Sequence, residues 1–231
     1  MGGIIIKGYK FIVIITTFLI VLCGIVIFNF KSTPSTATTN EDKDSTDVVE
    51  VELNENSIKD QPTLGDEEVS VQIVEFGDFI CPACQTWNET VFPMIEEDYI
   101  KSGKAKFSFV NVLYHDDSEL ASLAAEVVHK RDPSSYWKFH DNLFRHIKKE
   151  REIDQEGIEE LIKKHTDIAI EDLNEDMKKP EFARELELDK KLIKEHGVSP
   201  TPSLMINGRL LENPFDYEEI EKAINGHGEG T

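Results

Sequence analysis

The chain has 231 residues, 39% of them hydrophobic, enough for one ordinary domain with appendages. It holds 45 acidic against 25 basic residues, a formal net charge of −20, and every acidic residue follows position 30. A body this negative excludes nucleic acid and an anionic membrane surface as electrostatic partners; by itself it names no function.

From the N-terminus, Phe11 to Phe28 run without a charge, with Lys7 and Lys10 before them and Lys31 after. As a helix rising ~1.5 Å per residue the run reaches roughly 27 Å, close to the ~30 Å hydrocarbon layer of a bilayer. It predicts a single transmembrane anchor over residues 11–28, with residues 1–10 cytoplasmic by the lysine bias and the remainder extracytoplasmic. A cleaved secretory signal is the competing reading, but "FNFKSTPSTATTN" offers Ala37 without an A-x-A site. Lipidation at Cys23 is disfavoured by the bulky Leu22 before it. Residues 29–63 are rich in Ser, Thr, Asn, Asp and Glu and nearly empty of large apolar side chains, which predicts a disordered tether reaching roughly 30 Å. The folded body is then expected over residues 64–231.

"VSVQIVEF", residues 69–76, is β-branched and nearly continuous in apolar character, as in a strand buried on both faces. Gln85 to Lys101 carries Trp87, Val91, Phe92, Ile95 and Tyr99 at helical spacing, with a kink expected at Pro93. "AKFSFVNVLY", residues 105–114, reads as a second strand, so the three segments form a βαβ unit with parallel pairing. No strand is expected from about 115 to 196. Helical stripes run through Leu120, Leu123, Ala124, Val127 and Val128, then through Tyr136, Phe139, Leu143, Phe144 and Ile147. A third helix opens at Ile158, and "PEFARELELDKKLIKEHG" is a fourth, stopped at Gly197. "PSLMINGRLLEN" predicts a hairpin around Asn207-Gly208, and a last helix is expected over Tyr217–Asn225.

The chemistry-bearing stretch is "EFGDFICPACQTW", with Cys81 and Cys84 where the first strand gives way to a helix. A zinc site needs four ligands, and the scattered histidines supply no H-x₃₋₅-H pair. A structural disulfide closing so short a loop restrains the unfolded chain little. The redox reading uses every local feature: a Cys81 thiolate at the helix N-terminus faces unpaired N–H groups and the positive end of the dipole, and Pro82 suits the first helical position. Cys84, one turn in, then stays a thiol until it is needed.

These residues carry a resemblance. "VEF", "CPAC" at a helix start, the long helical insertion and "GVSPTPSLMING" resemble the DsbA family of thiol-disulfide oxidoreductases, and within it the membrane-anchored Gram-positive BdbD-like branch. The resemblance implies a thioredoxin fold with an inserted helical domain and oxidation of cysteines in reduced, unfolded exported proteins, with no cofactor required for thiol exchange. It implies Cys81 as the exposed nucleophile and Cys84 as the resolving cysteine, with Pro82 and Ala83 between them. Pro202 takes the place of a cis-proline facing the disulfide, preceded by Thr201, whose backbone meets bound peptide; Pro200 is the alternative. Glu75 takes the place of an acid that manages the proton of Cys84, although alone it would also suit a strand-edge carboxylate. Re-oxidation by a quinone-linked membrane protein of the DsbB type is implied, and so is a structural Ca²⁺ held by Gln61, Glu126 and Asp189. Ala83 departs from relatives with His there, which removes one source of positive potential. A reductase or isomerase on the same fold, or a thioredoxin-like module that only binds peptides, are the competing functions.

Overall fold

The computed structural model describes Ile58 and residues 60–226. The expected cytoplasmic segment 1–10, the anchor 11–28 and nearly all of the tether lie outside the described residues. Among the described residues no helix is long and apolar enough to cross a membrane.

A five-stranded sheet organises the chain, in the order β1-β3-β2-β4-β5. Its centre is β2 (Val71–Gly77), parallel to β3 (Ala105–Asn111) from Val71↔Ala105 to Gly77↔Asn111 and antiparallel to β4 (Ser203–Ile206). The edges are β1 (Thr63–Leu64), antiparallel to β3, and β5 (Arg209–Leu210), antiparallel to β4. The fold takes up the chain earlier than residue 64, because Gln61 and Pro62 are buried and Thr63 already pairs with Ser108. The polar character of this stretch made it read as tether. The hairpin forms as its turn residues dictate, with φ of +48° at Asn207 and +81° at Gly208.

Between β2 and β3 lie α1 (Pro82–Thr90), α2 (Phe92–Ile95) and a π-helical turn, Glu96–Ile100. The expected single helix therefore breaks at Val91, two residues before Pro93: proline crowds the residue before it and has no N–H with which to continue the ladder. This segment and α8 (Tyr217–Asn225) cover one face of the sheet, where Trp87, Ile95, Tyr99, Ile220 and Ile224 pack on Ile73, Phe107 and Leu204. The Asp216 carboxylate caps α8, accepting from the N–H groups of Glu218 and Glu219 at 3.0 and 3.2 Å.

The insertion holds α3 (Ser118–Arg131), α4 (Tyr136–Glu150), α5 (Gln155–His165), α6 (Ile170–Asp176) and α7 (Pro180–Glu195). The short α6, "IEDLNED", was not expected: among its seven residues only Leu173 is a buried apolar side chain, too little to show a period. Leu192 and Ile193 of α7 pack with Val74, Phe76 and Val110 on the second face of the sheet. The insertion's own core surrounds Phe139, Leu143, Phe144, Val127 and Ile162, and Phe79 and Phe109 join it to the sheet and to both cysteines.

Candidate active site

β2 ends at Gly77 and the chain turns through Asp78, Phe79 and Ile80 to place Cys81 at the N-terminus of α1. The Cys81 N–H donates to the Asp78 carbonyl at 3.0 Å, and the Cys81 carbonyl accepts the N–H of Gln85 at 3.1 Å. With extended φ/ψ of −67°/121° and proline at the first helical position, Cys81 is the helix-capping residue. The Gln85 amide pins the same turn by donating to the carbonyls of Phe79 and Ile80 at 3.1 and 3.3 Å.

Both cysteines are free thiols in this structure, Cys81 6% exposed and Cys84 fully buried. The pKa of Cys81 is lowered to about 5, chiefly by a hydrogen bond from the Cys84 thiol, with the Thr201 hydroxyl and the backbone N–H groups of Cys84 and Ala83 assisting against the cost of burial. Cys84 moves the other way, raised by that same hydrogen bond first, then by burial and by the neighbouring Glu75. The N–H of Asp78 donates to its sulfur at 3.4 Å. The outer sulfur is thus a thiolate at neutral pH and the inner one a thiol.

Glu75 sits in the central strand, paired with Phe109 of β3 and Leu204 of β4, so it is not a strand-edge carboxylate. It is fully buried, and neither carboxyl oxygen has a hydrogen-bond partner among the described residues. Burial foremost, and then the Cys81 thiolate, raises its pKa well above the carboxylate range. The space beside it depends on Gly77: a Cβ there would lie 2.4 Å from Cε2 of Phe109 and 3.0 Å from Oε1 of Glu75. Burial thus favours the neutral form of Glu75 beside the buried sulfur.

Across from the cysteines the Thr201-Pro202 peptide bond is cis, and that at Pro200 is not. Sγ of Cys81 lies 3.6 Å from the Thr201 carbonyl oxygen. Pro82 is exposed and Ala83 half-buried beside it.

Gln61, Glu126 and Asp189 come together at the C-terminal end of β3, around Asn111. Gln61 Nε2 donates to Asp189 Oδ1 at 2.8 Å; Asn111 Nδ2 donates to Glu126 Oε1 at 2.8 Å and to Asp189 Oδ2 at 2.9 Å, and the Asn111 N–H donates to Oδ2 at 3.2 Å. Burial raises both carboxyl pKa values, and for Glu126 the facing Asp189 adds to it. Asn111 Oδ1 is buried without a partner among the described residues. Two buried acids beside the unpartnered Asn111 Oδ1, with the Gln61 amide turned to present its oxygen, would fit the all-oxygen donor set that Ca²⁺ takes. Among the described residues no three His, Cys, Asp or Glu side chains converge, so two of the four donors are amides.

Sequence reasoning missed Asn111, which reads as a strand residue. It missed Asp78, His115 and Ser118, which meet beneath the motif and are separated in the sequence. It missed His140 as well: the ring is fully buried among Phe79, Phe109, Phe144, Tyr136 and Trp137, neither nitrogen has a partner among the described residues, and burial lowers its pKa to about 3.

The family described as Thioredoxin matches residues 57–226. The chain is 41% identical over 174 residues to the disulfide bond formation protein D of Bacillus subtilis, covering 73% of this chain and 77% of that one. It is 36% identical over 169 residues to the probable disulfide bond formation protein D of Bacillus anthracis, covering 71% and 77%. Among solved structures, oxidised BdbD from Bacillus subtilis superposes with a TM-score of 0.69 at 39% identity, over 75% of this chain and 95% of that one. The thiol-disulfide exchange protein alpha-DsbA2 of Wolbachia pipientis gives 0.64 at 25% identity, over 74% and 90%.

Proposed function

The chain belongs to the thioredoxin-fold, DsbA-like thiol-disulfide oxidoreductases, and from that premise we propose that it is an extracytoplasmic, membrane-anchored dithiol oxidase that introduces disulfides into exported proteins. The observation that carries the direction of the reaction is the opposed acidity of the two sulfurs. A thiol with a pKa of about 5 is predominantly the thiolate at pH 7. Whatever stabilises that anion favours the reduced enzyme, so the disulfide form is the oxidant.

A substrate thiolate attacks Sγ of Cys81 in the Cys81–Cys84 disulfide; the new S–S bond forms as the old one breaks. Cys84 leaves with the electron pair and takes a proton, for which Glu75 is the placed donor. A second thiolate of the same substrate then attacks the substrate sulfur of the mixed disulfide, and Cys81 leaves as the anion its donors hold. The substrate dithiol has lost two electrons and the enzyme has gained them. Thr201 and Pro202 face the sulfur and, with Pro82 and Ala83, form the rim against which the substrate backbone lies. A DsbB-type, quinone-linked membrane protein is the re-oxidant this cycle calls for, and the run at 11–28 supports keeping the enzyme beside it.

Ca²⁺ is the group that Gln61, Asn111, Glu126 and Asp189 would hold, where it would neutralise two buried acids and tie the start of the fold to α3 and α7. It supplies no step of the exchange.

Equilibrating the cysteine pair against a glutathione buffer tests the assignment. A strongly oxidising constant, with oxidative refolding of a reduced protein faster than by oxidised glutathione, supports the oxidase. A constant near that of thioredoxin would make it a reductase.

A further inference from the structure

Asp78 takes no part in the exchange steps, yet it touches both cysteines. Its carbonyl accepts the N–H of Cys81 at 3.0 Å and its N–H donates to Sγ of Cys84 at 3.4 Å. Its side chain is fully buried and accepts from four groups: the N–H of Ile80 at 2.9 Å, the N–H of Tyr114 at 3.0 Å, the Ser118 hydroxyl at 2.8 and 2.9 Å, and the His115 ring. Nδ1 of His115 lies 2.8 Å from Oδ2. Since the other three groups are donors by nature, the carboxyl acts throughout as an acceptor, and Nδ1 carries the hydrogen. The ring is fixed on its inner edge while its side chain remains 39% exposed on the outside.

The consequence is electrostatic. His115 stands on the loop after β3, joined through a single residue to the backbone on which the reactive sulfur is mounted. The charged groups that face it are Asp78, Cys81 and Asp116; its pKa is raised, first by the bond to Asp78 and further by the Cys81 thiolate and Asp116, against partial burial. The Asp78 carboxylate offsets part of the imidazolium's field, and taking the ring away would leave that carboxylate unopposed beneath the motif. Between the cysteines stands Ala83, which carries no charge.

We propose that His115, oriented by Asp78, is a positioning residue for the exchange, whose imidazolium supplies to the Cys81 thiolate the positive potential that the residue at 83 does not. This rests on the reading of the Cys81–Cys84 pair as the redox centre. The effect is on the stability of the anion and so on the oxidising strength of the disulfide, with no bond made or broken at the imidazole. Protonated, His115 favours the reduced enzyme; as pH rises through its raised pKa the support is withdrawn and the enzyme becomes a weaker oxidant.

The full chain in three forms, wild type, His115→Gln and His115→Lys, would be titrated in the reduced state by thiolate absorbance and equilibrated with glutathione at pH 6. His115→Gln is expected to raise the Cys81 pKa by about one unit and to weaken the oxidant about tenfold, as removal of one nearby opposite charge does. His115→Lys, which restores a cation without the Asp78 geometry of the ring, is expected to recover most of both. An unchanged pKa in His115→Gln overturns the proposal, and so does a His115→Lys form as shifted as His115→Gln, which would mark a packing effect. The wild-type constant alone decides whether the enzyme is an oxidase, so the two readings fail separately.

Discussion

Sγ of Cys81 lies 3.6 Å from the carbonyl oxygen of Thr201, so a polypeptide that reaches the sulfur meets the backbone leading into β4 at the same place. The more acidic sulfur and this main chain share one surface, while Cys84 stands behind it with no exposure.

Replacing Cys84 by Ser should therefore trap mixed disulfides on Cys81, because the remaining thiolate attacks and nothing inside resolves. Non-reducing electrophoresis with a disulfide-containing client would read this: Cys81 attacks one client sulfur, the client S–S bond breaks, and the second client sulfur leaves as a thiolate. Adducts that persist in a Cys81→Ser variant, and fail to form in Cys84→Ser, would reverse the order of attack.

Glu75→Gln should slow disulfide transfer by about 10²-fold at pH 7, the usual scale for a lost proton donor. Its stability should move in the opposite sense with pH. A carboxyl with a raised folded pKa contributes stability that is present below its unfolded value, near 4.5, and lost as pH rises toward the folded value. The wild type should lose stability from pH 4.5 upward relative to Glu75→Gln. Parallel urea midpoints across pH 4–8 would contradict the protonated, buried acid.

Gly77→Ala should cost about 1–3 kcal/mol, since the added methyl meets the Phe109 ring at 2.4 Å and the ring is held by Phe79 and Phe144. Urea denaturation of the reduced protein gives the number. A neutral result would mean that the Phe109 ring moves freely.

His140→Phe isolates the buried imidazole. Its folded pKa of about 3 lies below the ordinary 6.5, so stability is lost as pH falls below 6.5, when only the unfolded state takes up the proton. By pH 3 the wild type should have lost on the order of 4 kcal/mol relative to His140→Phe, which keeps an aromatic ring among aromatics. Thermal melts of both forms from pH 7 to 3 check it; superimposable pH profiles would place the ring in contact with water.

Adding Ca²⁺ should raise the melting temperature and chelator should lower it, by about 3 kcal/mol of stability at a hundredfold excess over Kd. Asp189→Asn should abolish the difference. A wild-type melt indifferent to chelator would remove the metal from this account.

Local physics made much of this legible. Two strands, the Asn207-Gly208 hairpin, the long helices of the insertion and the placement of Cys81 at a helix start follow from patterns within a few residues, because side-chain period, turn conformation and capping are local properties. The short α6 escaped, having one buried apolar side chain, and the start of the fold at Gln61 escaped because a buried amide looks like any polar linker residue.

By itself the sequence determined the fold class, the unequal pair of cysteines and the residues around them. Only the tertiary structure decided how unequal they are. The acidity of Cys81 depends on Cys84, Thr201 and two N–H groups meeting one sulfur; that of Glu75 depends on the sheet and insertion leaving it without a partner. Whether His115 belongs to the site was likewise invisible, since it lies 37 residues from Asp78. Electric potential at an atom is a sum over everything folded near it, and a sequence orders residues along a line without saying which of them will be near.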